Sequence, residues 1–151
     1  MARQIALERG LERHAPGLNK MLVVDTSVWI DYFNGTVNAQ TDLLDNLLAR
    51  RIINLGDLIL AEILQGFHRD EDYRQAKKLL QAFPIVDMLG QKMAEKSAQN
   101  YRQLRKKGVT VRKTMDVMIG TYCIEHDLPL LYTDRDFDPL VKHLGLKTVG
   151  P

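Results

Sequence analysis

A chain of 151 residues with a formal net charge of +2, 45% hydrophobic and 26% charged residues has the length of one domain and the balance of an ordinary globular fold. No apolar run approaches the ~18–20 residues of a membrane span, and residues 1–20 lack the apolar core of a secretory signal, which speaks against membrane insertion and export. The charge does not decide for or against polyanion binding: Arg3, Arg9, Arg13 and Lys20 against Glu8 and Glu12 account for all of it and leave the main body neutral.

In chain order, residues 1–20 carry a short amphipathic stretch at Ile5, Leu7 and Leu11, broken by Gly10 and closed by Pro16 and Gly17. Met21 opens a strand-like run, so residues 1–20 are expected to be a leader or extension: upstream sequence, a cloning remnant or a partner-binding arm. From Met21 short apolar runs alternate with longer helical patterns. Strands are predicted at 21–25, 52–55, 84–87, 129–132 and 146–149. Helices are predicted near 26–34, 38–50, 57–67, 70–82, 90–107, 114–127 and 136–143. The alternation predicts an α/β domain over 21–150, with a mostly parallel sheet of four to five strands covered by helices on both faces. In that architecture ligands gather at the carboxyl ends of the strands. Cys123, the only cysteine, sits in a helical apolar pattern and reads as a small core residue in a reducing compartment, as the cytoplasm is.

Four acids sit in apolar company. Asp25 ends the first predicted strand in "MLVVDTSVWIDYF", Glu62 lies in "DLILAEILQGF", Asp116 in "TMDVMIGTYCI", and Asp134 follows "LPLLYT" at another strand end. Burying one carboxylate without a partner costs several kcal/mol or forces protonation. Four such costs exceed the margin by which a domain of this size is stable, so they call for a shared compensation. A divalent cation supplies it, and carboxylate oxygens suit magnesium or manganese. Each acid also has a local explanation. Asp25 and Asp116 can cap the helices that follow them, Glu62 can pair with an arginine or lie at an exposed edge, and Asp134 and Asp136 can be turn residues in "TDRDFDP". Taken together, the acids fall where a doubly wound sheet would gather them into one crevice.

The ordered set "VVDTSVWIDYF", "LAEILQGF" and "GVTVRKTMDVMIGTYCIEHDLPLLYTDRDFDPL" resembles the PIN-domain ribonucleases, and more closely the VapC toxin of VapBC-type bacterial toxin-antitoxin modules. The resemblance runs from Met21 to Val149 and rests on the order acid, glutamate, acid, acid, with "TDRDF" after the penultimate strand. It implies a three-layer α/β/α fold and a metal-dependent endoribonuclease that cuts structured RNA, transfer or ribosomal, and so arrests translation. It further implies Asp25, Glu62, Asp116 and Asp134 as the catalytic and metal-holding quartet, with Asp136 as a secondary ligand or water-positioning group. Magnesium is the expected ion, with manganese as an alternative. The expected partners are a second copy of the chain and a VapB-type antitoxin whose carboxyl-terminal segment lies in an apolar groove. The leader is the one departure from the pattern.

An acidic cage repels RNA unless basic groups hold the backbone. The stretch "RQLRKKGVTVRK" carries Arg102, Arg105, Lys106, Lys107, Arg112 and Lys113 with no acid among them, and Arg112, Lys113 and Arg105 are the expected RNA contacts. The competing reading is a solvated helix end whose cations face the negative dipole terminus. His68, His126 and His143 lack a motif pairing them with a nucleophile. "TSVWIDYF" holds more apolar residues than one helix face buries, including Trp29, Ile30 and Phe33, which serve either a partner surface or the core. A phosphotransferase of the haloacid dehalogenase type needs a second acid where Ser27 stands. The remaining alternative is a non-catalytic PIN-like module that binds RNA or protein.

Overall fold

The computed structural model describes residues 21–150, so the predicted leader 1–20 lies outside the described residues. Four strands, β1 (Leu22–Val24), β2 (Ile53–Gly56), β3 (Ile85–Val86) and β4 (Leu130–Leu131), form one sheet in the order β3-β2-β1-β4, and every pairing is parallel. Seven helices connect and flank them among the described residues: α1 (Thr26–Phe33), α2 (Ala39–Arg50), α3 (Asp57–Gln65), α4 (Asp70–Leu80), α5 (Gln91–Lys106), α6 (Thr114–Glu125) and α7 (Asp138–Leu144). This is the expected three-layer α/β/α arrangement.

The strands are parallel because each is followed by a helical crossover, and they are apolar because both faces are covered. Leu22, Val23 and Val24 are all buried, and Val23 pairs with Asn54 of β2 on one side and Leu130 of β4 on the other. The chain lays β2 and then β3 to one side of β1 and returns to place β4 on the other. The order therefore reverses at β1, and a crevice opens beyond the carboxyl ends of β1 and β4. The Asp25 N–H donates to the Leu131 carbonyl at 2.8 Å, which fixes the exits of those two strands side by side.

Two elements depart from expectation. The predicted strand 146–149 reduces to one parallel bridge, Leu130 to Thr148, with the Leu130 N–H on the Lys147 carbonyl and the Val149 N–H on the Leu130 carbonyl. Lys147 and Thr148 are exposed and Gly145 and Gly150 flank the segment, so buried Leu146 and half-buried Val149 alone anchor it on the core. The helix predicted at 136–143 is split into a 3₁₀ turn, Arg135–Phe137, followed by α7. Pro139 explains the split: it has no N–H to continue a helix from the preceding turn and suits the first turn of a new one.

Trp29 is fully buried, stacking on Phe33 at 6.1 Å and meeting Phe83 edge-on at 5.8 Å between ring centroids. Of its two readings the core one holds, whereas Ile30, one residue on, remains exposed. Cys123 is also fully buried, and burial pushes its thiol up to about 12, which leaves it inert.

Gly120 in α6 faces Leu140 of α7 so closely that an added Cβ would overlap the leucine Cδ2 atom. Gly120→Ala is expected to lower stability by about 1–2 kcal/mol, overpacking outweighing the gain in helix propensity. A thermal melt checks this, and an unchanged or raised midpoint would show that α7 gives way freely.

Candidate active site

Each acid is delivered to the crevice by a different element. Asp25 leaves β1 with extended backbone, caps α1, and is buried. The Ser27 N–H and hydroxyl both donate to its Oδ2, at 3.1 and 2.6 Å. Burial raises its pKa, the two Ser27 hydrogen bonds oppose the rise, and the charge of Glu62 adds to it. Glu62 projects from α3 and accepts from the Thr26 hydroxyl at 2.8 Å. Asp116 lies in the first turn of α6, 6% exposed, and its Oδ2 is buried without a hydrogen-bond partner. Asp134 follows β4 and caps the 3₁₀ turn by accepting from the Asp136 N–H at 2.9 Å.

The structure draws Asp116, Asp134 and Asp136 into the tightest group: one carboxylate oxygen from each lies within 4.8 Å of the other two. Asp136, expected only as an auxiliary acid, is part of this group. Asp25 and Glu62 stand outside it and act on it through their charge. Burial, followed by the field of Asp25, pushes Asp116 up to about 7, and Asp134 and Glu62 add to the rise. Asp116 is the residue that all the others meet.

One cation is already present. The Lys113 ammonium lies 2.9 Å from Asp134 Oδ2, and its pKa is raised first by that hydrogen bond and then by the charges of Asp134, Asp116 and Asp136. Asp134 is held below the usual carboxylate range by the Asp136 N–H, then by Lys113 and Arg112. Lys113 is 57% exposed, so the pair contributes about 1 kcal/mol or less. Lys113→Met is expected to tighten Mn²⁺ binding about three- to fivefold in calorimetry, because the ammonium no longer competes for Asp134. Unchanged affinity would mean that Asp134 does not touch the ion.

Arg112 is exposed and close enough to Asp134 to shift it, whereas Arg105 lies over the Tyr101 ring at 5.7 Å and does not line the cleft beside the acids. Sequence reasoning missed Thr26 as the partner of Glu62: the two are 36 residues apart, and no local spacing signals their contact. Among the described residues, none of the three histidines lines the cleft beside the acids. His126 stacks on Tyr122 at 4.0 Å, His68 is exposed and His143 is half-buried.

The donor set fits a hard divalent cation. Clustered carboxylates are oxygen ligands of the kind magnesium and manganese take, and the buried, unpartnered Asp116 Oδ2 is the atom a bound ion would satisfy. Ion binding would also draw Asp116 into its charged form at neutral pH.

The PIN domain family model matches residues 22–142. Among curated proteins, ribonuclease VapC11 of Mycobacterium tuberculosis is 27% identical over 132 residues, covering 86% of this chain and 98% of the relative. Two solved structures share the fold: VapBC2 from Rickettsia felis bound to a DNA fragment from their promoter, and FitAcB from Neisseria gonorrhoeae. The first aligns at a TM-score of 0.69 and 16% identity over 85% of this chain and 97% of the other. The second aligns at 0.68 and 17% over 87% and 98%.

Proposed function

Because this chain belongs to the PIN domain family, we propose that it is a Mg²⁺-dependent endoribonuclease, the VapC-type toxin of a VapBC module, cutting structured transfer or ribosomal RNA and so arresting translation. The observation that carries the proposal is the group of Asp116, Asp134 and Asp136, with Asp25 and Glu62 near enough for their charges to act on Asp116, at the reversal point of a parallel sheet. The ribonuclease names of curated relatives across 86% of the chain support it.

Asp116, Asp134, Asp136 and Asp25 would hold the ion. When bound, such a cation activates a hydrolytic water and offsets the charge building on the phosphate. The rest falls to the chain's own groups. Ser27 fixes the Asp25 carboxylate with two hydrogen bonds, and the Thr26 hydroxyl fixes Glu62, so neither acid has to be ordered when substrate arrives. Glu62 is placed to accept a proton or orient water beside Asp25. Lys113, seated on Asp134, and Arg112 beside it are the cations that would pair with a substrate phosphate. Asp134 and Asp136 are held in one turn by the Asp136 N–H on the Asp134 carboxylate.

Residues 21–150 form the catalytic domain in this reading, and residues 1–20 an extension. A homodimer and a VapB-type antitoxin are the partners. The exposed Ile30 and Val37 beside the half-buried Phe33 and Phe67 support a protein-covered face near α1 and α3. The place of action in this reading is the cytoplasm, where transfer and ribosomal RNA are found. Among the described residues no helix is long and apolar enough to cross a membrane. The test is incubation of total RNA with the purified chain, first with Mg²⁺ and then with EDTA. Discrete cleavage that EDTA abolishes is expected. Intact RNA in both arms would leave a binding module instead.

A further inference from the structure

Beside the acidic group the chain builds a second feature. Helix α5 ends in a Schellman motif: the Val109 N–H returns to the Leu104 carbonyl and the Gly108 N–H to the Arg105 carbonyl, each at 3.0 Å. Gly108 takes the left-handed φ of +78° that this closure demands. The motif turns the chain, and residues 109–113, which lead into α6, line a cleft together with residues of the 3₁₀ turn and α7. The same cleft is lined by Leu104, Val109, Val117 and Leu140 as well as by Asp116 and Asp136.

The lining separates by burial. Leu104, Val117 and Leu140 are buried beneath the cleft, half-buried Val109, Val111 and Pro139 give it an apolar wall, and Arg112, Lys113 and Arg135 line it and are exposed, which puts them at its rim. Among the described residues neither the Arg112 nor the Arg135 guanidinium forms an ion pair or hydrogen bond, in contrast to the Lys113 ammonium. Two guanidiniums without an ion pair beside an apolar wall, next to a carboxylate group that fits a cation, match a chain whose phosphates alternate with flat aromatic rings. The cationic rim favours a polyanion over an apolar or basic peptide.

We propose that this cleft is the subsite for the nucleotide flanking the scissile phosphate. Arg112 and Arg135 hold its backbone phosphate, and the apolar wall of Val109, Val111 and Pro139 receives its base. The cleft, with Val111 at its wall, then sets the position at which RNA is cut, while the acids carry out hydrolysis at any phosphate brought to them. The inference rests on the nuclease reading and extends it to substrate selection.

Its test uses the full chain and two variants, Arg135→Gln at the rim and Val111→Phe to fill the cleft. Binding is read by fluorescence anisotropy of a labelled RNA hairpin with Ca²⁺ in place of Mg²⁺, cleavage by sequencing RNA ends, and integrity by Mn²⁺ calorimetry. Arg135→Gln is expected to weaken hairpin binding roughly tenfold, to reduce its salt dependence, and to raise KM more than it lowers kcat. Val111→Phe is expected to shift the positions cut. Mn²⁺ affinity should match the parent in both.

If both variants bind the hairpin and cut at the parent's positions with the parent's affinity, the subsite is wrong while the nuclease stands. If the parent binds RNA and never cuts it, the nuclease reading fails, and unweakened binding by Arg135→Gln then removes the cleft as well. Displacement of the hairpin by polyglutamate as readily as by unlabelled RNA would assign the rim to a protein partner and overturn the inference.

Discussion

Asp116→Asn is expected to lower metal-dependent RNA cleavage by about a thousandfold or more, equivalent to ~4 kcal/mol of lost transition-state stabilisation, while raising the melting temperature of the metal-free protein. The two effects have one cause. Asp116 is the buried carboxylate on which the charges of Asp25, Asp134 and Glu62 converge, and its Oδ2 has no hydrogen-bond partner to offset that cost. With an ion present the concentrated charge is the reason for binding; without one it is repulsion in a desolvated place. An amide of the same shape removes the repulsion and one ligand together. Single-turnover cleavage and a melt in EDTA check both halves. Parental cleavage by the variant would exclude Asp116 as a ligand, and a lowered melting temperature would mean that its charge is neutralised by something other than a cation.

The second large effect is a stability that falls as pH rises in the absence of metal. Asp116 titrates near 7 in the folded chain against an ordinary 3.8, so between those values the folded state holds a proton that the unfolded state has released. Stability attributable to this group is therefore full below about pH 4 and decreases through pH 7, by on the order of 2–4 kcal/mol. Asp25, raised by burial, acts in the same direction. Asp134 acts oppositely: its lowered pKa contributes stability above the ordinary carboxylate value that is lost as pH drops further. The metal-free protein should thus be most stable in mildly acidic solution, with a melting temperature at pH 8 several degrees below that at pH 5. Saturating Mn²⁺ should remove or invert the fall, because the ion binds the deprotonated form. Melting curves from pH 5 to 8.5, with EDTA and with Mn²⁺, check it. A flat metal-free profile would mean that Asp116 is ionised throughout.

The alternation of short apolar runs with helical periods made the sheet and its helices legible before any coordinates, because a doubly covered parallel strand leaves a signal that a half-exposed one does not. The segment at 146–149 shows the limit. Leu146 and Val149 supply strand-like apolar spacing, but the flanking glycines and exposed Lys147 and Thr148 leave only a bridge, and periodicity over four residues does not distinguish the two. At the site, the acids stood out because each interrupts an apolar run. Their grouping was less accessible. Asp136 looked like one more turn residue in "TDRDFDP", and only the 3₁₀ turn, with the Asp136 N–H on Asp134, brings its carboxylate to Asp116. Thr26 and Lys113 were legible as residue types but not as partners of Glu62 and Asp134, since those contacts span 36 and 21 positions and depend on how α3, α6 and β4 exit the sheet. Trp29 illustrates the same dependence for packing: its apolar surplus suited a partner surface until Phe83, distant in sequence, enclosed it.

The claim on which the account turns is that these carboxylates tolerate one another because a divalent ion binds among them. Diffraction from a crystal grown with Mn²⁺, collected for its anomalous signal, tests it most directly. A single strong peak, or two adjacent ones, is expected within bonding distance of Asp116 and of at least one among Asp25, Asp134 and Asp136. A map with no peak there at saturating Mn²⁺, with Lys113 still seated on Asp134, would contradict it.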